Sequence, residues 1–320
     1  MTKTPLLIRI VPVLTMIIAT LPLAHAAPAK ILPPPQQVSA HVYAWIGPYG
    51  GPSKENRGYR MNMAFVIGEQ AVAVIDTGHT EAIALEMLEH IARITKLPVK
   101  YAINSNSQPH RFMGNEVFRR QGARIIAQRG EAARMARLGD EFAATAQTTF
   151  ELAIGSVRAP APPDQIIDGD IQLDLGKLEI HLRHFGAAHT PAPLVVHIPA
   201  DNVVYAGDIL YGGRLLAVMP DSNVKAWIKT FDALAVFGDA TFIPGHGAPG
   251  KLKTFEFPTR DYLHLLYDHM GKKIEAGADI QEAIDSLDQS RFKTLADFDS
   301  LAGRNASWTY LEREAEFFSK

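Results

Sequence analysis

The sequence predicts an α/β protein, a four-layer αββα sandwich with a helical C-terminal extension. Three observations predict it. Short apolar runs alternate with helix-spaced segments in a strand–turn–strand–helix–strand order, which is half of such a sandwich. A second set of strands and one helix repeats that logic after residue 165, and beyond Gly250 only helical spacing remains. The chain of 320 residues, 47% hydrophobic and 21% charged, has the length and composition of one large core-forming domain plus an appendage.

The elements follow in chain order. Residues 1–26 read as an export address. Lys3 and Arg9 give a positive start, Ile10 to Leu23 is apolar, and Ala24-His25-Ala26 fits the small-x-small cleavage rule. The apolar run is short against the ~20 residues that a bilayer span needs, so periplasmic export by a cleaved signal peptide is expected, with no stable membrane anchor. Residues 27–37 form a proline-rich extended lead-in, with Pro28 and Pro33 to Pro35. A domain is then expected over 38–255 and a helical extension over 256–320.

Strands are predicted at Val42–Ile46, Met63–Ile67 and Ala71–Ile75, with Gly68-Glu69-Gln70 as a turn. Ile83, Leu85, Leu88, Ile91 and Ala92 give Glu81–Thr95 helical spacing, and Pro98 closes it. Val99–Ile103 and Arg124–Ala127 are strands flanking a short helix, Glu116–Gln121. Residues 128–165 hold a charged helix, Glu131–Phe142, that either roofs a cleft or forms a surface excursion. In the second half, Ile171–Leu175 and Leu178–Leu182 alternate about Gly176-Lys177, a hairpin signal. Leu194–Ile198 and Val203–Ala206 are buried strands. Val224–Phe237 is a helix with Trp227, Phe231 and Leu234 on its core face. Tyr262–Ile274, Leu295–Leu301 and Ser307–Phe318 are helical, the last packing back through Trp308 and Leu311.

Charge and cysteine content exclude several classes. A formal net charge of −2 gives no basic footprint for nucleic acid and no polybasic membrane patch. With no cysteine, disulfides, thiolate ligands and a cysteine nucleophile are excluded together.

The chemistry-bearing motifs are Val72-Ala-Val-Ile-Asp-Thr-Gly78, Ile103-Asn-Ser-Asn-Ser-Gln-Pro-His-Arg-Phe-Met-Gly-Asn115, Ala188-His-Thr-Pro191, Ala206-Gly-Asp208 and Pro244-Gly-His-Gly247. In that order and spacing they resemble the five motifs of the metallo-β-lactamase superfamily, whose loop reads Asn-Thr-His-x-His-x-Asp-His-x-x-Gly-Asn. The resemblance covers about 200 residues and implies the fold named above. The signal peptide, the Val-Ile-Asp-Thr-Gly element and the long helical C-terminus look most like the periplasmic quinoprotein relay system zinc metallohydrolases. That likeness implies a quinoprotein-associated setting.

The resemblance also implies a pair of zinc ions sharing a bridging hydroxide, and here the chain departs from it. Of the three histidines at the first metal, only His189 remains, with Asn106 and Gln108 at the other two positions; amide oxygens are poor zinc ligands. At the second metal, the bridging Asp208 and His246 remain. His110 replaces an aspartate and Arg111 a histidine, and a guanidinium cannot ligate. Asp76 is expected to brace the turn.

Two arrangements are open. His110, Asp208 and His246 hold one ion, zinc or ferrous iron, with His189 as a fourth ligand or a base. Alternatively Arg111 fills the metal's place and pairs with Asp208, leaving no metal; repulsion between a guanidinium and a dication favours this second arrangement. His181 and His184 are expected to be structural. Function divides likewise, between a protein binding a small ligand or periplasmic partner and a single-metal hydrolase in which Asp208 or His189 takes a proton from water.

Overall fold

The computed structural model describes Thr2 and residues 30–319. The expected export address, apart from Thr2, and the start of the lead-in lie outside those residues. The elements in order are β1 (Gln36–Gln37), β2 (Val42–Trp45), β3 (Met63–Ile67), β4 (Val72–Ile75), α1 (Glu81–Ile94), β5 (Val99–Ile103), α2 (Pro109–Phe112), α3 (Asn115–Arg120), β6 (Arg124–Gln128), α4 (Arg129–Thr149) and β7 (Gln165–Ile167). The second half comprises β8 (Ile171–Asp174), β9 (Glu179–Arg183), β10 (Val195–Ile198), β11 (Val203–Tyr211), α5 (Val224–Ala233), β12 (Thr241–His246), α6 (Tyr262–Glu275), α7 (Ile280–Asp285) and α8 (Phe298–Phe318).

The four layers are present. A seven-stranded sheet runs β1 to β7 in sequence order, and a five-stranded sheet runs β12-β11-β10-β9-β8. Inward residues of both sheets, among them Val42, Ile75, Ile103, Leu182, Val196 and Tyr205, form the core between them. The outer face of the first sheet packs on α1 through Ile83, Met87 and Ile91. The outer face of the second packs on α5 through Trp227, Phe231 and Leu234, and that core continues into Leu263, Leu266 and Tyr310 of the C-terminal helices. The β8–β9 hairpin turns on Gly176 and Lys177, both with φ above zero (86° and 54°), the signature of a tight two-residue turn.

Four expectations need correction. Strand β11 does not end at Ala206 but runs to Tyr211, because β12 continues alongside it through register shifts near Gly207. Asp208 therefore sits within a strand. The helix expected over Glu131–Phe142 extends from Arg129 to Thr149. The two C-terminal helices expected around Leu301 and Ser307 are one, α8. Within it, buried Asn305 donates to the Leu216 carbonyl and accepts from the Val218 amide, both at 2.8 Å. This docking keeps the helix continuous through Gly303. Last, Leu311 is 42% exposed; Leu301, Ala306 and Tyr310 supply the buried face, with Trp308 partly buried against it.

Candidate active site

The loop from β5 to α3 is held by its polar frame. Asn104 and Asn115 exchange side-chain hydrogen bonds at 2.9 Å, Thr77 donates to Asn115 at 2.9 Å, and the Thr77 amide donates to the Arg111 carbonyl at 2.9 Å. Gly114 is required by close approach, since a Cβ there would lie 2.1 Å from the Thr77 carbonyl oxygen. Helix α4 is tied to the same loop. Buried Glu131 accepts from the Ser107 amide at 2.8 Å and the Ala192 amide at 2.7 Å, and Arg134 donates to the Ser107 carbonyl at 2.9 Å. The segment after β6 thus packs onto the site loop rather than forming a detached surface excursion.

Arg111 is fully buried and turned inward. Its Nε and Nη2 grip the two Asp208 oxygens at 3.0 and 2.5 Å. Nη1 donates to the Asn62 carbonyl at 2.7 Å and to Asp76 at 2.9 Å, with Tyr205 Oη also at 2.9 Å, and Nη2 reaches the Gly245 carbonyl at 3.3 Å. All five guanidinium N–H groups therefore face an acceptor, which a buried cation requires. Gly245 fits only as glycine: a Cβ there would lie 2.1 Å from Asp208 Oδ1 and 2.8 Å from Arg111 Nη2.

The two carboxylates differ. Asp208 also accepts from Asn106 at 2.8 Å. Burial works to raise its pKa, but Arg111, aided by His189, His246 and His110, holds the carboxyl well below the usual carboxylate range. Asp76, at φ 62°, accepts from the Ser105 amide and hydroxyl at 2.8 Å each and from Tyr205 at 2.7 Å. Burial raises its pKa against the pull of Arg111. It braces the loop and the arginine together.

The imidazoles surround this pair. His246 Nδ1 donates to the Arg60 carbonyl at 2.9 Å, so its lone pair is on Nε2, 3.5 Å from Asp208. His110 Nε2 is 3.9 Å from Asp208 and has no hydrogen-bond partner. Donor atoms of His110, Asp208 and His246 lie within 4.8 Å of one another. His189 is outside that trio. Its Nδ1 donates to the Ala217 carbonyl at 2.8 Å and its ring meets Tyr211, which stacks on His246. Burial pushes His189 down to about 4 and moves His110 and His246 well below their ordinary value, so the rings are neutral. Gln108 is buried beside them with an unpartnered amide nitrogen, while Asn106 bonds both Asp208 and the Gln108 amide. His181 and His184 lie on and after β9, His184 bonded to the Pro193 carbonyl at 3.0 Å.

Sequence reasoning missed Arg60, Asn62, His79, Tyr205, Tyr211 and Arg214. The available signal was polarity in apolar surroundings: Asn62 lies between Met61 and Met63, and Tyr205 lies inside an apolar strand.

With Arg111 inward, these residues do not fit a metal centre. Both oxygens of Asp208 are already occupied. A dication about 4 Å from a guanidinium is repelled by on the order of 8 kcal/mol at an effective dielectric constant near 20.

The fold and site define a protein of the αββα hydrolase-like type, and known proteins agree. The family model for the metallo-beta-lactamase superfamily matches residues 57–246, more than half of the chain. This chain belongs to that superfamily. It is 28% identical over 114 residues to a metallo-beta-lactamase type 2 of Bacteroides fragilis, a match covering 34% of this chain and 45% of that relative, less than half of its length. It is 26% identical over 216 residues to the acyl-coenzyme A thioesterase MBLAC2 of Bos taurus, covering 59% of this chain and 74% of that protein. Among solved structures, a metallo-beta-lactamase from Pontibacter korlensis superposes with a TM-score of 0.58 at 20% identity, covering 72% of this chain and 98% of its own. The DIM-1 metallo-beta-lactamase superposes at 0.56 with 17% identity, covering 73% and 99%.

Proposed function

We propose that this is a periplasmic metallo-β-lactamase-superfamily protein with a rebuilt metal site, in which the Arg111–Asp208 pair takes the place of an ion. Its cleft then serves to bind a small ligand or a periplasmic protein partner. The observation that carries this reading is the fully satisfied, fully buried guanidinium gripping Asp208 at 3.0 and 2.5 Å. A cation fixed there neutralises the carboxylate that the family's metals would otherwise share. A second reading has one observation in its favour. The donor atoms of His110, Asp208 and His246 converge within 4.8 Å, and His110 Nε2 is unpartnered. If Arg111 turned outward, those three would suit one zinc or ferrous ion of a hydrolase, with His189 nearby as a base.

Zinc titration of protein purified without chelators or a metal-binding tag separates the two readings. Wild type should take up no stoichiometric zinc. Arg111→His should bind about one ion, because it removes the internal cation and adds an imidazole beside His110, Asp208 and His246. Tight stoichiometric binding by wild type that is lost in His110→Ala would refute the metal-free reading.

Export rests on the signal-like residues 1–26. N-terminal sequencing of the protein from a periplasmic extract should begin at or near Ala27; an intact Met1 would overturn the assignment.

A further inference from the structure

Around the Arg111–Asp208 pair, several buried polar atoms face no protein partner. They are Arg60 Nε, His79 Nδ1, His110 Nε2 and Gln108 Nε2. The carboxylates nearby are already engaged. Asp208 and Asp76 are held by Arg111, and Asp297 lies 3.0 Å from Arg214. No carboxylate lies within ion-pair distance of Arg60 among the described residues, although it is only partly exposed. Burial first, and then the neighbouring Arg214, lower its pKa, while Asp208 and Asp297 act from beyond contact in the opposite direction.

The surroundings place Arg60 at the site. Its backbone carbonyl holds His246, and, after burial, its charge adds to the lowered pKa of His79 and in smaller part to that of His110. Arg214 Nη1 lies against the His246 ring, 3.3 Å from Nδ1 and 3.5 Å from Nε2. The Arg214 charge is paired with Asp297. The rings of His79 and His110 lie 6.1 Å apart, and those of His110 and His246 6.2 Å. A guanidinium with no contacting carboxylate, set beside neutral imidazoles with unpartnered nitrogens, attracts negative charge.

We propose that this cleft binds a small oxyanion, the carboxylate or phosphate group of its ligand, with Arg60 as the main donor and His79 and His110 as secondary donors. The inference rests on the metal-free reading, because a dication in the cleft would itself take the anion. An oxyanion offers acceptors to the planar fork of Arg60, which neither the protein's own carboxylates nor its carbonyls engage. Arg60 reaches the surface, so the ligand enters from its side while the buried imidazoles lie deeper.

The test is calorimetric titration of inorganic phosphate and, separately, of acetate into the mature chain, after its metal content has been measured. Wild type, Arg60→Gln, Arg60→Lys and the remote control Lys177→Gln are compared. Saturable binding of at least one probe is expected. Arg60→Gln should weaken it by about tenfold or more, Arg60→Lys should fall between, and Lys177→Gln should match wild type. Phosphate alone binding assigns a phosphate-bearing ligand, and acetate alone a carboxylate. No saturable binding by a metal-free wild type, or equal affinity in Arg60→Gln, overturns the inference and leaves the Arg111 reading standing. Binding that appears only in zinc-loaded protein overturns both. Folding is checked by melting: Arg60 makes no contacting ion pair to lose, and Arg60→Gln should melt near the wild-type temperature.

Discussion

Arg111→Met is expected to destabilise the protein by about 3–5 kcal/mol, the usual result of removing one partner from a buried ion pair. The side chain is fully buried, and its loss strands two carboxylates at once. They do not suffer equally. Asp76 keeps the Ser105 amide and hydroxyl and the Tyr205 hydroxyl, so it stays satisfied. Asp208 keeps only the Asn106 amide, and its charge is then left without a contacting cation. Most of the loss should therefore be recovered in Arg111→Met/Asp208→Leu, which removes the stranded charge and fills its volume. Urea denaturation at neutral pH measures both. A single-variant loss below about 1 kcal/mol would show that Arg111 is not the cation on which this centre depends.

How much of this was legible in the sequence depends on what kind of signal each residue leaves. Asp76, Asn104, Gly114, Asn115 and Gly245 are in motifs because each meets a fixed backbone or a fixed neighbour. Their identities follow from local sterics and hydrogen bonding, so order and spacing were enough. For Arg111 the charge argument favours pairing with Asp208 but leaves the outward turn open, and only the contacts to Asp208 and Asp76 show it turned inward. The residues that complete the centre left weaker traces. Tyr205 reaches it from strand β11, and Arg60 and Asn62 from the loop before β3, and their relevance exists only once the sheets are stacked. The length of β11 was also hidden. Gly207-Asp208 reads as a turn, but pairing with β12 carries the strand through it. Helix α8 was read as broken because Gly303-Arg304-Asn305 weakens helical propensity, whereas the Asn305 amide is spent on the chain at Leu216 and Val218.

The protein is also expected to lose stability steeply as the pH falls below about 6.5, well before its carboxylates protonate. Burial pushes His79 down to about 3, with Arg60 adding to the effect. Burial likewise brings His189 to about 4, even though Asp208 and the Ala217 carbonyl oppose the shift. In the unfolded chain both rings titrate near their ordinary value. Between that value and the folded ones, the unfolded state binds protons that the folded state does not. Stability therefore rises with pH across this window and is lost on acidification, by about 1.4 kcal/mol per pH unit for each ring. His110 and His246, also lowered by burial, act in the same direction. Asp208 contributes separately and at lower pH, since its depressed carboxyl stabilises the fold above the unfolded carboxylate value and fails only as the pH drops through its own. Unfolding free energies from urea titrations at pH 7, 6 and 5 give the slope. His79→Phe keeps a ring against Phe150 and removes one titrating group, so its slope should be shallower by about 1.4 kcal/mol per pH unit. A wild-type curve that stays flat from pH 7 to 5, or a slope unchanged in His79→Phe, would mean that these rings take up protons in the folded protein as readily as in the unfolded chain. The neutral-imidazole lining of the cleft would then be wrong.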